Sequence, residues 1–279
     1  MIIGIFCFLC GVGLVVLGHF TFNSLTFVTP MDIFAYVNAL FLFVGAFFIG
    51  MIISFFLYWI IALPISPAKE RKKPSKFYRF LFMQGLDFIC FITQVRCRFK
   101  GKDFLPKGRR FVLVCNHRSN FDPMLITKKI GRFDIAFVSK MSNFKIPMVG
   151  RMITALCFMA VDRSDPLQSL TIVKRCQNYV ENNICSIGVF PEGKRYTGEG
   201  LGEFHEGFFN VAIKSNVPLV VCTVKGTEKI SKRAPWRPTK TKIEVIRVFE
   251  PEEIAGMPAK QVSDIVRQLM IDNINEPSK

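Results

Sequence analysis

From Ile33 to Leu63 the chain runs for about thirty residues without a Lys, Arg, Asp or Glu, and nothing else in it restricts the possible folds as strongly. A helix of about 20 apolar residues spans a bilayer, so this block is long enough to cross one with tilt. A second block, Ile2 to Phe22, is apolar apart from His19 and has the length of one span. A cleaved signal peptide would need a basic start and a small-residue cleavage site, and neither is evident, so retention is expected. Asn23 to Asp32, with Pro30, forms the short turn between the blocks. The expectation for residues 1–68 is therefore a membrane-anchoring transmembrane helical hairpin.

Asp32 is the single charged side chain in those 68 residues, so practically all of the +16 net charge belongs to residues 69–279. Lys69-Glu70-Arg71-Lys72-Lys73-Pro74-Ser75-Lys76 follows the second block at once, whereas the hairpin turn and the N-terminus carry no Lys or Arg. The positive-inside rule then puts residues 69 onward in the cytoplasm. This basic segment serves either as a solvated linker or as a headgroup-binding stretch, worth about 1 kcal/mol per basic residue near the surface. Phe77 to Gln94 is aromatic-rich and reads as a helix, lying in the interface or covering the domain beside it. Residues 69–95 are thus a basic linker and interfacial helix, and residues 96–279 a cytoplasmic domain.

A 50% hydrophobic content and a mean hydropathy of +0.32 exclude an ordinary soluble enzyme. The basic balance suits nucleic acid, an anionic lipid surface or substrates carrying phosphate. The apolar N-terminus favours the last two, and no nucleic-acid-binding motif is recognisable. Nine cysteines, an odd number without regular pairing, read as small buried hydrophobes in a reducing compartment. Cys7-x-x-Cys10 has the spacing of half a zinc site, but no second pair follows, and no metal is expected.

From Val95 onward short apolar runs alternate with helical stretches. Strands are expected at Val95 to Phe99, Phe111 to Cys115, Ile135 to Ser139, Cys157 to Val161, Ile184 to Phe190, Leu219 to Val224 and Lys242 to Phe249. Helices are expected to begin near Asp122, Pro147, Asp165, Glu206 and Pro258. The alternation argues for an α/β fold with a mostly parallel mixed sheet flanked by helices.

Four polar islands adjoin these runs: Asn116 to Asp122; Lys140 with Pro147, Gly150 and Arg163; Phe190-Pro191-Glu192-Gly193-Lys194-Arg195; and Val217-Pro218-Leu219. On one continuous helix His117 and Asp122 would sit about 140° apart, so a turn must intervene if they are to meet. Across such a turn Asp122 holds the imidazole in one tautomer and leaves the other nitrogen free to take a proton. The plainer alternative is a loop hydrogen bond to His117, with Asp122 an N-cap ahead of Pro123.

The order of the four islands resembles the PlsC-type glycerolipid acyltransferases, the 1-acylglycerol-3-phosphate acyltransferase family. That family shares an H-x4-D block, a block ending in Arg, an F-P-E-G-x-R block and a V-P-I/L-V block. The matching positions are His117 and Asp122; Gly150 and Arg163; Phe190, Pro191, Glu192, Gly193 and Arg195; and Val217, Pro218 and Leu219. The resemblance implies acyl transfer from acyl-CoA or an acyl-carrier protein, as co-substrate rather than cofactor, to the sn-2 hydroxyl of lysophosphatidic acid, giving phosphatidic acid. It implies His117 as the base oriented by Asp122, and Glu192, Gly193 and Arg195 as acceptor-binding. Arg163 or Lys140 would assist with phosphate, and amides near Gly193 or Pro218-Leu219 would serve the oxyanion. Where many members carry a basic F-K-x-G segment this chain has Phe204-His205-Glu206-Gly207, so a phosphate contact would come from His205 or from elsewhere, and another lysophospholipid or lipid acceptor is the alternative. A non-catalytic membrane-anchored protein that binds anionic ligands is the rival from a different class.

Overall fold

The computed structural model describes residues 33–67, 69–162, 165–196, 198 and 200–275, together with Leu9, Val12 and Gly13. Apart from those three positions, the first apolar block and its turn lie outside the described residues. Arg163 does too, as do Cys7 and Cys10. The chain divides into two compact units, residues 1–64 and 65–279.

In the first unit, helix α1 spans Ile33–Ala62. At 1.5 Å per residue its 30 residues are about 45 Å long, more than the roughly 30 Å of a bilayer's hydrocarbon core. Within it Val37–Ala62 is long and apolar enough to cross a membrane. Of the expected hairpin, the second helix is the one seen in full among the described residues.

The second unit opens with helix α2 (Lys76–Ile92), started by Ser75, whose side chain accepts from the Tyr78 amide. There follow β1 (Val95–Lys100), β2 (Val112–Cys115), α3 (Phe121–Ile130), β3 (Ile135–Lys140), α4 (Pro147–Ala155), β4 (Met159–Val161) and α5 (Pro166–Glu181). The unit ends with β5 (Ser186–Val189), α6 (Phe209–Lys214), β6 (Leu219–Lys225), β7 (Thr239–Phe249) and α7 (Ala259–Asn275). The seven strands form one sheet in the order β1-β7-β6-β2-β5-β3-β4. Only the β6–β7 pairing is antiparallel, so the sheet is mixed and mostly parallel as expected.

Burial follows from strand position. The central strands β2 and β5 are buried at every residue, which explains their unbroken apolar runs. Edge strand β1 alternates instead, with Arg96 and Arg98 outward. Phe111, Leu125, Ile126, Ile130, Ile135, Phe137 and Phe209 fill the core between sheet and helices. Helix α2 covers the domain with one face and leaves the other exposed. Leu86 and Arg79 are buried, with the Arg79 guanidinium on the Gly131 carbonyl (3.0 Å) and on Asp134 (3.0 Å), while Phe77, Phe80, Phe91 and Ile92 face outward.

Two strand boundaries differ from expectation. β4 begins at Met159 rather than Cys157, because Cys157 has φ +65° and turns the chain before the strand starts. β7 begins three residues early, at Thr239, because β1 lies alongside and pairs with it from Val95 onward.

Candidate active site

Parallel strands β2 and β5 lie side by side, so the loops leaving their C-terminal ends emerge together, the usual ligand edge of an open α/β sheet. Asn116 to Asn120 leaves β2 there, and Phe190 to Arg195 leaves β5. The turn between His117 and Asp122 brings His117 Nδ1 within 2.9 Å of Asp122 Oδ2. The same carboxylate oxygen accepts the backbone N–H groups of Arg118 and Ser119, each at 2.6 Å.

Asp122 is therefore not the N-cap. Asn120 holds that place, and Asp122, fully buried in the first turn of α3, faces back into the loop. A carboxylate suits this position because the helix N-terminus carries partial positive charge. An ionised carboxylate can only accept, so the proton sits on Nδ1 and Nε2 presents its lone pair. The His117 ring stacks on Phe190 (centroids 4.2 Å apart, 20° between planes), and Phe190 stacks in turn on Phe137 (5.4 Å, 14°). Gly188 makes room for this column: a Cβ there would come within 2.4 Å of the Phe137 ring.

Glu192 is 3% exposed. Its Oε1 accepts the His117 amide (2.8 Å) and its Oε2 the Gly202 amide (3.0 Å). Burial holds its carboxyl above the ordinary carboxylate range, and the two amide donors pull it back only in part. The acceptor-binding role implied by the resemblance thus meets a carboxylate already engaged on two backbone amides, one of them that of the presumed base. Gly193 has φ +68°, and a Cβ there would fall 2.7 Å from the His205 ring, so the glycine lets the two loops touch. Its N–H is taken by the Phe190 carbonyl at 3.0 Å.

The other expected residues divide. Arg195 is exposed and makes no side-chain hydrogen bond or ion pair among the described residues. Lys140 ends β3 at the same sheet edge, exposed, two strands from β2. Gly150 lies buried in α4, where a Cβ would strike the Phe144 carbonyl at 2.1 Å, so it serves packing. Pro218 is not part of the cluster. It opens β6, which runs parallel to β2, and its carbonyl accepts the amide of Val112 at the start of β2. Block four therefore lies at the opposite edge of the sheet from His117, and its amides are removed from any oxyanion role.

One residue in the cluster was not singled out from the sequence. Asn116 is buried; its amide donates to the Val224 carbonyl (3.0 Å) and accepts the Val224 N–H (2.7 Å), continuing the β2–β6 ladder through a side chain. An amide directly after a wholly apolar strand was the available signal. Cys115 beside it is fully buried, which raises its pKa well above the ordinary thiol value and keeps it protonated. A cavity of about 470 Å³ opens on the β6 side of the loop, lined by Asn116, Arg118, Lys225, Glu228 and Lys229 among others.

The acyltransferase family model matches residues 96–225. A chloroplastic 1-acyl-sn-glycerol-3-phosphate acyltransferase of Brassica napus is 35% identical over 119 residues, 43% of this chain and 34% of the relative. The match thus spans about a third of that plant protein. The enzyme of that name from Salmonella typhimurium is 26% identical over 211 residues, 75% of this chain and 84% of its own. Among solved structures, the 1-acyl-sn-glycerophosphate acyltransferase PlsC of Thermotoga maritima shares the fold, with a TM-score of 0.55 and 22% identity over 73% of this chain and 81% of that one. Residues 96–225, built around the His117–Asp122 loop, thus match the acyltransferase family, and the chain is similar to its 1-acyl-sn-glycerol-3-phosphate acyltransferases.

Proposed function

We propose that the protein transfers a fatty acyl group from an acyl thioester, acyl-CoA or acyl-carrier protein, to the sn-2 hydroxyl of lysophosphatidic acid, giving phosphatidic acid. The observation that carries the reading is the His117 Nδ1–Asp122 Oδ2 contact of 2.9 Å, with the imidazole clamped on Phe190 and Nε2 left over. Nε2 takes the hydroxyl proton as the oxygen attacks the thioester carbonyl, and the tetrahedral intermediate expels the thiolate, which takes up that proton. General-base assistance is worth about 10² to 10⁴-fold, and placing two bound substrates can add more. No acyl-enzyme is needed, since the nearest thiol, Cys115, is buried and held protonated.

Arg195 and Lys140, both exposed, and with them Arg163, are the cations offered to the acceptor phosphate, Arg195 by a planar fork of donors. Helix α1 anchors the chain as an integral membrane protein, with the acyltransferase domain on the cytoplasmic face. An acceptor and product that live in the bilayer then need not be extracted into water. The test is an assay of the full chain in lipid vesicles, with acyl-CoA and acyl-carrier donors and a panel of lysolipids. Acylation of lysophosphatidic acid, lost in His117→Ala while the protein still inserts, is the expected result. Near-normal activity of the purified variant would sink the mechanism, and acylation of another lysolipid alone would reassign the acceptor.

A further inference from the structure

Between Glu228 and Glu244 the chain carries Lys229, Lys232, Arg233, Arg237, Lys240 and Lys242 and no acidic residue. In the middle of this run stands Trp236, 86% exposed, the most exposed large apolar side chain among the described residues. Burying an indole in water-facing protein would normally be favourable, so an aromatic held out among cations calls for a partner that is apolar inside and anionic outside.

The segment is held, not loose. The Ala234 amide donates to the Ile230 carbonyl (2.9 Å), the Arg237 amide to the Arg233 carbonyl (2.9 Å), and the Thr239 amide to the Gln94 carbonyl (3.2 Å). The Gln94 side chain donates to the Pro235 carbonyl. These bonds fix the loop beside the end of α2, where Phe91 is 74% exposed and Ile92 is exposed as well. Register places the group. Cys115 pairs with Cys222 on β6, Lys225 three residues on pairs with Lys242, and antiparallel β7 carries that level back to Thr239. Trp236, Phe91 and Ile92 therefore stand beyond the same sheet edge as the His117–Asp122 loop. Their rim is cationic, and Arg96 faces Lys240 across the β1–β7 pair. Like charges directly opposite cost stability, a cost that an anionic surface relieves.

We propose that the Trp236 loop, with Phe91 and Ile92, is a membrane-insertion element that seats the active-site edge of the sheet on an anionic leaflet. The indole enters the headgroup region, the site that amphipathic aromatic rings prefer, and Lys232, Arg233, Arg237, Lys240 and Arg96 pair with lipid phosphates. The contact belongs to the acyltransferase domain itself and stands whether or not lysophosphatidic acid is the acceptor.

The chain has two tryptophans, Trp59 and Trp236, so Trp59→Phe leaves Trp236 as the only indole. The full-length variant is reconstituted into phosphatidylcholine–phosphatidylglycerol vesicles whose acyl chains are brominated close to the glycerol. Loss of indole emission, with protection from aqueous acrylamide, is expected. Replacing Lys232, Arg233 and Arg237 by Gln should restore the emission. Emission unchanged by brominated chains and quenched freely by acrylamide would overturn the proposal. So would a blue shift produced by an acidic carrier protein in vesicles whose lipids leave the emission unaltered, which would make the loop a protein-docking site. The readout does not depend on turnover, so an inactive preparation still answers it.

Discussion

Glu192→Gln separates a residue that holds the base from one that binds the acceptor. The native carboxylate accepts two backbone N–H groups, from His117 at 2.8 Å and from Gly202 at 3.0 Å, at a site 3% exposed. A glutamine amide has one oxygen, so one amide keeps its acceptor and the other meets an NH2 group that also donates. Losing a hydrogen bond to a charged acceptor costs about 1.5–3 kcal/mol, partly offset because no buried charge remains. A net loss of about 2 kcal/mol should lower Tm by roughly 4–8 °C for a unit of this size. If the His117 amide is the one released, the loop lifts and the imidazole leaves the Phe190 stack. Then kcat falls about 10- to 100-fold while the acceptor KM stays within about threefold, the pattern of a lost transition-state interaction. Steady-state kinetics with the acceptor varied at saturating donor reads the split. A large rise in acceptor KM at unchanged kcat would refute the reasoning and put Glu192 on the substrate. The raised pKa adds a pH signature. Native activity should fall on the acid side earlier than an ordinary carboxylate would cause, because protonated Glu192 must give up one acceptor, and the variant should lack that limb. For stability the sign is opposite: a raised folded pKa favours the fold at low pH and is lost as pH rises through it.

Arg195→Ala should raise the acceptor KM about tenfold or more with little change in Tm, since the side chain is exposed; unchanged kinetics would remove it from the site. Gly188→Ala should push Phe137 out from beneath Phe190 and lower kcat together with Tm, by about 1–3 kcal/mol of overpacking, and wild-type kinetics would show that the stack does not orient His117. Alkaline stability follows from the buried thiols. Burial pushes Cys157 up to about 11, Cys176, Cys185 and Cys222 higher still, and Cys115 well above the ordinary thiol value, against about 8.5 in the unfolded chain. The folded state then binds more protons than the unfolded state, so stability falls as pH rises above about 8.5, by about 1.4 kcal/mol per unit for each thiol. Thermal melts from pH 8 to 10.5 measure this, and a flat Tm would contradict the burial of these residues.

Strand positions and the helix starts at Pro147 and Asp165 were legible because apolar runs and Pro-after-cap signals are local. Asp165 indeed caps α5, accepting from the Leu167 and Gln168 amides. Strand direction is not local, and that is why Pro218 was misplaced. A motif preceding a parallel strand lies at the opposite edge from one that follows its neighbour, however close they stand in a conserved-looking order. The pairing of His117 with Asp122 was legible from the order of the four islands, since the five-residue spacing alone left a loop hydrogen bond and an N-cap open. The engagement of Glu192 on backbone amides was not, since side-chain type says nothing about which amides lie within reach. Cys157 shows the same limit, its left-handed φ being invisible in an apolar run.

The amide bridge from Asn116 to Val224 reaches past the local bond it makes. With Asn116 moored to β6, the His117 amide held by Glu192 from the β5 loop, and Asp122 rooted in α3, the loop is guyed from three independent parts of the domain. A base fixed in this way is aimed before any lipid arrives, and substrates must come to it. Lys194, Arg195 and His205, on the surface proposed to meet the acceptor, are exposed and take no part in that rigging. Acceptor preference can therefore be altered by substitution in those loops without disturbing the atom that takes the proton.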